Sequence, residues 1–195
     1  MSFAELAPIL VGVEPDLDAV LAAARAGDEA AMTQLFRQVH PGLLQYLRRR
    51  APDVAEDLAS ETWMAAAGDF SGFAGDIGDF RAWLFTVARR RVADHYRRCG
   101  RTPSQVAWNG DLDGPPSPDV GEQVLADMAT DEAVARLVRN LSPDQSEVVL
   151  LRVVAGLSVD EAAQAMGRSA GTVRVLQHRA LRRLRKVWDR QVVTR

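Results

Sequence analysis

The chain holds a single cysteine, Cys99, so no disulfide can form within it, and a reducing cytoplasm is its expected home. The arginines around Cys99 could make the thiol reactive, but an unremarkable surface thiol is the simpler expectation. No apolar run approaches the roughly 20 residues that a bilayer-spanning helix needs. The N-terminus has neither the basic start nor the cleavage site of a signal peptide, so a soluble, cytoplasmic protein is expected. Strict apolar–polar alternation, the mark of a half-buried strand, is missing too. The histidines His40, His95 and His178 are scattered, with no metal-ligand spacing. The glycines between Gly68 and Asp79 are not followed by Gly-Lys-Ser/Thr, so they form no phosphate-binding loop. These absences predict an all-α protein that uses no metal and no cofactor, and that is not an enzyme.

What is present begins with material for real cores: 47% of 195 residues are apolar, enough for one large domain or two small ones. The formal net charge of -2 hides a block pattern. Phe80 to Arg101 carries seven arginines against Asp94 alone, and Arg168 to Trp188 carries seven basic residues and no acidic one. Between them, Thr102 to Asp131 has six acidic residues and no lysine or arginine. Two basic poles are separated by an acidic segment.

The second pole is the more specific. Ser158 and Glu161 form a capping box, and Gly167 ends the short helix they start at a point where the backbone can turn left-handed. Ser169 is a suitable N-cap for a second helix. On that helix Val173, Leu176, Ala180, Leu184 and Val187 form an apolar stripe, while Arg174, Val175, His178, Arg179, Arg182 and Lys186 lie opposite. This is a helix-turn-helix pattern with a cationic face suited to a DNA major groove, where arginine reads guanine and valine meets a thymine methyl. A solvated basic face on a bundle helix is the blander alternative, and the one-signed charge argues against it.

Helical periodicity divides the chain into residues 15–101 and 122–190, joined by a linker at 102–121 that is rich in proline, glycine and acid. In the first part, a helix after Pro15 carries Leu17, Val20, Leu21 and Ala24 on one face. A second restarts at Gly27-Asp28 and is interrupted at His40-Pro41. Pro52 opens a helix from Asp53 to Ala67, Gly68 to Asp79 is a loop, and Asp79 caps a long helix from Phe80 to about Arg98. In the second, helical pattern resumes from Glu122 to Leu141, and Ser142 with Gln145 forms another capping box. Gly156 terminates the helix that follows.

Asp53, Asp57 and Glu61, with Glu56 and Ser60 beside them, make a carboxylate stripe on one helix face: a solvated surface, or a docking surface for a basic partner protein. Phe70, Phe73, Phe80, Trp83 and Phe85 lie beside a basic helix, as unstacked bases require. Any single ring is more simply core, yet Leu84, Val87, Ala88 and Val92 already give that helix an apolar side, so several rings are expected near the surface. Arg89, Arg90, Arg91, Arg97, Arg98 and Arg101 cannot all face a core, and neutralising phosphates is the simplest use for them.

Taken together, the chain resembles bacterial RNA polymerase sigma factors of the extracytoplasmic-function (ECF) group. AEDLASETW (55–63) looks like the family's segment that docks on the clamp helices of the polymerase largest subunit. FRAWLFTVARRRVADHYRR (80–98) looks like its promoter-melting, minus-ten-reading helix, and residues 141–184 look like its fourth conserved region. The resemblance implies two small helical domains on an acidic flexible linker, with core polymerase, promoter DNA and an anti-sigma factor as partners. It implies polymerase docking by Asp53, Asp57, Ser60 and Glu61. It implies a flipped minus-ten base among Phe73, Asp76, Ile77, Phe80 and Trp83, with Arg89, Arg90, Arg97 and Arg98 on the strand. The minus-thirty-five element would fall to Ser169, Thr172, Arg174, Val175, His178, Arg179 and Arg182. Ser60 stands where the family commonly has glutamine, Arg90 where it has asparagine, and Val175-Leu176 where many members have Ser-Arg, which predicts a buried Leu176.

Two other classes of function compete. A conventional promoter-binding regulator would need a ligand pocket or a symmetric dimer, and nothing in 15–101 looks like a sensor. A nuclease or recombinase would need metal ligands or an activated nucleophile, which the sequence lacks.

Overall fold

A computed structural model of the chain describes residues 16–99 and 141–192, with side chains as far as Lys186. The expected linker, the helical pattern leading up to Leu141, the tail Met1–Val13 and the side chain of Val187 lie outside the described residues. The regular elements among the described residues are helical: α1 (Leu17–Arg25), α2 (Glu29–Arg50), α3 (Ala55–Asp69), α4 (Ile77–Arg98), α5 (Pro143–Val149), α6 (Val159–Met166) and α7 (Ala170–Val192).

Short polar side chains start most of these helices by satisfying their free N–H groups. Asp16 caps α1 and Asp28 caps α2. Reciprocal capping boxes open α5 (Ser142 with Gln145) and α6 (Ser158 with Glu161), as the sequence predicts. A third opens α4, and here the expectation needs correcting. The cap is Asp76, whose carboxylate accepts from the Asp79 N–H, and Asp79 reaches back to the Asp76 N–H. Both aspartates suit an N-cap, and the choice falls one turn earlier because Asp18 on α1 also accepts from the Ile77 N–H at 2.7 Å.

A second correction concerns α2, which runs through His40-Pro41 without a break. Pro41 and Arg37 both lie on the exposed side, so water can take the carbonyl that the proline ring leaves without a donor. Smaller differences follow at α3. Pro52–Val54 is a 3-10 turn before the α-helix, and α3 continues to Asp69, into the expected glycine loop.

Helices α1 to α4 pack in sequence as one bundle, with α2 also touching α4, while α5, α6 and α7 pack around one another. The two groups meet. Helix α4 lies against α6, and α2 lies against the π-helical segment Leu150–Val154 that follows α5. One buried apolar cluster therefore runs from Leu21, Leu35 and Leu43 through Phe85 to Leu151, Leu157 and Leu176. Gly42 permits the closest backbone approach, since a Cβ there would stand 3.0 Å from the Ala155 carbonyl oxygen.

Phe80 sits at the centre of the first bundle and is fully buried. Trp63, Phe70, Phe73 and Trp83 surround it at ring distances of 5.6–6.2 Å. The expectation that Phe80 offers its own face to a base is corrected on this point: its ring is the floor on which the outer rings rest. Phe80→Ala should cost about 3–5 kcal/mol in urea unfolding. A loss below about 1 kcal/mol would show that the ring is not a core anchor.

Candidate functional site

The helix-turn-helix is built by backbone geometry first. Gly167 is left-handed at φ +63°, as a helix C-cap turn requires, and its N–H and that of Arg168 close on the last carbonyls of α6. Ser169 Oγ then accepts from the Thr172 N–H at 3.1 Å and starts α7. Arg168 pairs with Asp144 at 3.6 Å and ties the turn to α5. Val173, Leu176, Ala180 and Leu184 are buried, Leu176 included as the sequence predicts. Ser169, Arg174, His178 and Arg182 are exposed, and Thr172, Val175 and Arg179 are half-exposed. Six of these seven side chains thus share a helix whose outward face is cationic, with Ser169 at its start.

The second candidate surface is the loop before α4 and the helix itself. Phe73 and Trp83 stack at 5.5 Å and 28°, both half-buried, above the Phe80 ring. Ile77 is half-exposed beside them, and Asp76, though exposed, is occupied as the α4 cap. Arg90, Arg97 and Arg98 are exposed, Arg97 pairing with Asp94. Arg91, Asp94, Arg97 and Arg98 line a shallow open groove. Arg89 departs from this pattern. Its Nε donates to Glu147 Oε1 at 2.7 Å and its Nη1 to the Ala165 carbonyl, so it does not stand free beside the other arginines.

The third is the acidic stripe. Asp53, Asp57 and Ser60 are exposed, and Glu61 is half-exposed, 3.7 Å from Arg91. The Arg48 guanidinium, hydrogen-bonded to Glu56 at 2.9 Å, lowers that carboxyl's pKa. Asp53 and Asp57 have no ion-pair partner among the described residues. The sequence reading missed the apolar continuation of this face. Met64, 70% exposed, follows Ser60 by one turn, and Phe36, 40% exposed, stacks on His40 and leans on Trp63. The i, i+4 spacing from Ser60 was the available signal.

It also missed the contact between the two helical groups. Glu147 is nearly inaccessible; its Oε1 accepts from the Tyr46 hydroxyl at 2.8 Å as well as from Arg89, and its Oε2 lies 3.4 Å from Arg50 Nε. Burial, reinforced by Glu147, pushes the Tyr46 phenol well above its usual pKa. About two turns back along α4 on this seam, Arg81 meets Glu161 at 3.3 Å and donates to the Gly156 carbonyl at 2.8 Å. No group of three or more His, Cys, Asp or Glu among the described residues could hold a metal ion, and no described helix is long and apolar enough to cross a membrane.

Comparison with known proteins agrees with this geometry. The family model "Sigma-70 region 2" matches residues 35–102, and "Sigma-70, region 4" matches 131–184. The ECF RNA polymerase sigma factor SigD of Mycobacterium tuberculosis is 34% identical over 193 residues, covering 93% of this chain and 88% of that protein. ShbA of Streptomyces griseus, another ECF sigma factor, is 38% identical over 169 residues, covering 82% and 88%. Among solved structures, RpoE of Bartonella quintana, bound to the anti-sigma factor NepR, matches with a TM-score of 0.59 at 25% identity, covering 81% of this chain and 96% of that one. CnrH, bound to the cytosolic domain of CnrY, has the same fold at a TM-score of 0.63 and 24% identity, covering 89% and 98%. The chain belongs to the ECF RNA polymerase sigma factor family.

His40 generates a pH prediction. Its pKa is lowered, first by burial and then by Arg48, and its Nδ1 accepts from Trp63 Nε1 at 3.3 Å, which requires that nitrogen to be unprotonated. Below the ordinary histidine range near pH 6.5 the unfolded chain takes up a proton that the fold resists, so stability falls as pH falls through that window. His40→Gln should flatten that part of the melting-temperature profile. An unchanged slope would show that His40 does not carry it.

Proposed function

We propose that this chain is a transcription initiation factor that docks on core RNA polymerase and directs it to promoters with two recognised elements. The duplex at the upstream, minus-thirty-five element is read by the outward face of α7, with Arg174, Val175, His178, Arg179 and Arg182 in the groove and Ser169 and Thr172 at the helix entrance. The melted minus-ten strand is held against Phe73, Trp83, Ile77 and Asp76, its phosphates met by Arg90, Arg97, Arg98 and, once released, Arg89. Asp53, Asp57, Ser60 and Glu61 form the polymerase-docking face. The two parts, 15–101 and 122–190, act as separate heads on the acidic linker 102–121, which gives each a high effective concentration at its element.

The observation that carries this reading is the exposed cationic face of α7, set outward by the left-handed turn at Gly167 and anchored by buried Val173 and Leu176. No covalent chemistry is required: captured bases and backbone contacts offset an unstacking cost of a few kcal/mol per step. The complex of RpoE with the anti-sigma factor NepR supports an anti-sigma partner for this chain as well.

Transcription reconstituted from core polymerase and the purified chain on a genomic library, with start sites mapped, tests the whole reading. Failure to join core enzyme, or joining without directing start sites, refutes it. Arg174→Ala should weaken discrimination at the upstream element by about 1–3 kcal/mol and leave polymerase binding intact. Asp57→Arg should act in reverse, weakening the polymerase complex while free-chain binding to upstream duplex is unchanged. Equal loss of both activities in either variant would contradict the division of labour.

A further inference from the structure

We infer that Asp18, on the first helix, is a positioning residue for capture of the unstacked minus-ten base: it fastens the start of α4, and with it Asp76 and Ile77, in the geometry that selects which base enters. This rests on the reading of Phe73, Asp76, Ile77 and Trp83 as the surface that takes that base.

Helix α1 touches α4, and Asp18, in the first turn of α1, accepts from the Ile77 N–H at 2.7 Å across 59 positions of sequence. That N–H is the first of α4, one of the four that a helix start leaves without an internal partner. A carboxylate suits it doubly, because the helix dipole is positive there. The reciprocal box of Asp76 and Asp79 shapes the same segment but bonds its residues only to each other. The Asp18 bond fastens them to another helix.

That helix is itself fixed. Asp16 accepts from the Asp18 and Ala19 N–H groups at 3.1 and 3.3 Å, and Leu21 and Ala24 are buried. On the other side of the loop, Gly75 is at φ +153°, and a Cβ there would stand 2.7 Å from Asp79 Cβ and 3.1 Å from the Phe73 ring. The chain from Phe73 to Asp79 is thus pressed close at Gly75 and tied at Ile77. Asp76 and Ile77 lie between these two constraints, beside the stacked Phe73–Trp83 pair. The rings accept any base, since every base has a π-face. Choice among bases falls to the groups fixed beside them, and groups held before capture need no ordering when a base arrives. Loss of the tie leaves the rings and the exposed arginines able to hold a strand, so it costs selectivity more than grip.

Three full-length variants separate the tie from the helix that carries it. Asp18→Ala removes the acceptor. Asp18→Asn keeps an oxygen that can accept from the Ile77 N–H. Asp16→Ala removes the α1 cap and leaves the Asp18 carboxylate in place. Each is joined to core RNA polymerase and offered a short single-stranded oligonucleotide pool of random sequence, with core polymerase alone as the blank. The retained strands are weighed and sequenced, and the melting temperature of each free chain is taken.

Asp18→Ala should lower the preference at the most selective base position at least about threefold, the lower end of what one such hydrogen bond contributes, with a smaller loss in total strand retained. Asp18→Asn and Asp16→Ala should keep the parent's preference, although Asp16→Ala melts earlier through its lost cap. Unchanged preference in Asp18→Ala overturns the assignment. Equal loss in Asp16→Ala overturns it too, since α1 would then act through packing alone, and equal loss in Asp18→Asn shows that charge and not the bond matters. A parent complex with no preference beyond that of core polymerase refutes the base-capturing surface itself, and the role of Asp18 with it.

Discussion

Glu147 imposes the constraint on which the relation between the two halves depends. A carboxylate removed from water must find partners, and breaking such a group by deleting one of them typically costs about 3–5 kcal/mol. None of these partners lies on its own helix, α5. The partners come from Tyr46, Arg50 and Arg89, between roughly 60 and 100 residues earlier in the chain. That single residue therefore ties α5 to α2 and α4 together. It also determines that Arg89 turns to a carboxylate of the second helical group, while its neighbour Arg90 stays exposed.

The rest of the architecture is more local. Six of the seven helices take their starts from an aspartate or serine one residue before them, and three of those form reciprocal boxes. Local caps fix where helices begin, and buried faces fix how they lie against one another. The turn at Gly167 joins the two levels: its left-handed backbone sets the angle between α6 and α7, and that angle puts Val173 and Leu176 inside while Arg174 and His178 point out.

This explains which parts were legible in the sequence. The caps Ser142, Ser158 and Ser169, the turn at Gly167 and the buried Leu176 all follow from spacing within a few residues, and all are as expected. Where the reading went astray, a distant residue decided. Asp76 prevails over Asp79 as the α4 cap with Asp18, some 60 positions away, bonded to the adjoining N–H. Pro41 does not break α2, because the broken hydrogen bond faces water and buried Leu35, Val39, Leu43 and Leu47 hold the helix on both sides of it. Phe80 looks from its neighbours like one more ring beside a basic helix, and only the meeting of α3 with α4 encloses it. Glu147 did leave a trace. It lies three and four positions before buried Leu150 and Leu151, on the side of a helix where a charge has no business unless a partner is waiting.

The chemistry of the seam also bears on its reversibility. An interface closed by leucines alone would resist opening in proportion to the apolar area it exposes to water, about 25 cal/mol for each square ångström. A seam centred on Glu147 and Arg81 behaves differently. When it opens, the carboxylates and guanidinium groups recover the hydration they gave up on closing, and this regained solvation offsets much of the lost attraction. Arginine suits this double use, since the same planar guanidinium that forks onto a carboxylate or a carbonyl can turn to a phosphate. Arg89 uses its guanidinium in this way, on the buried carboxylate of Glu147 and the Ala165 carbonyl. The contact can thus be specific in geometry without being deep in energy.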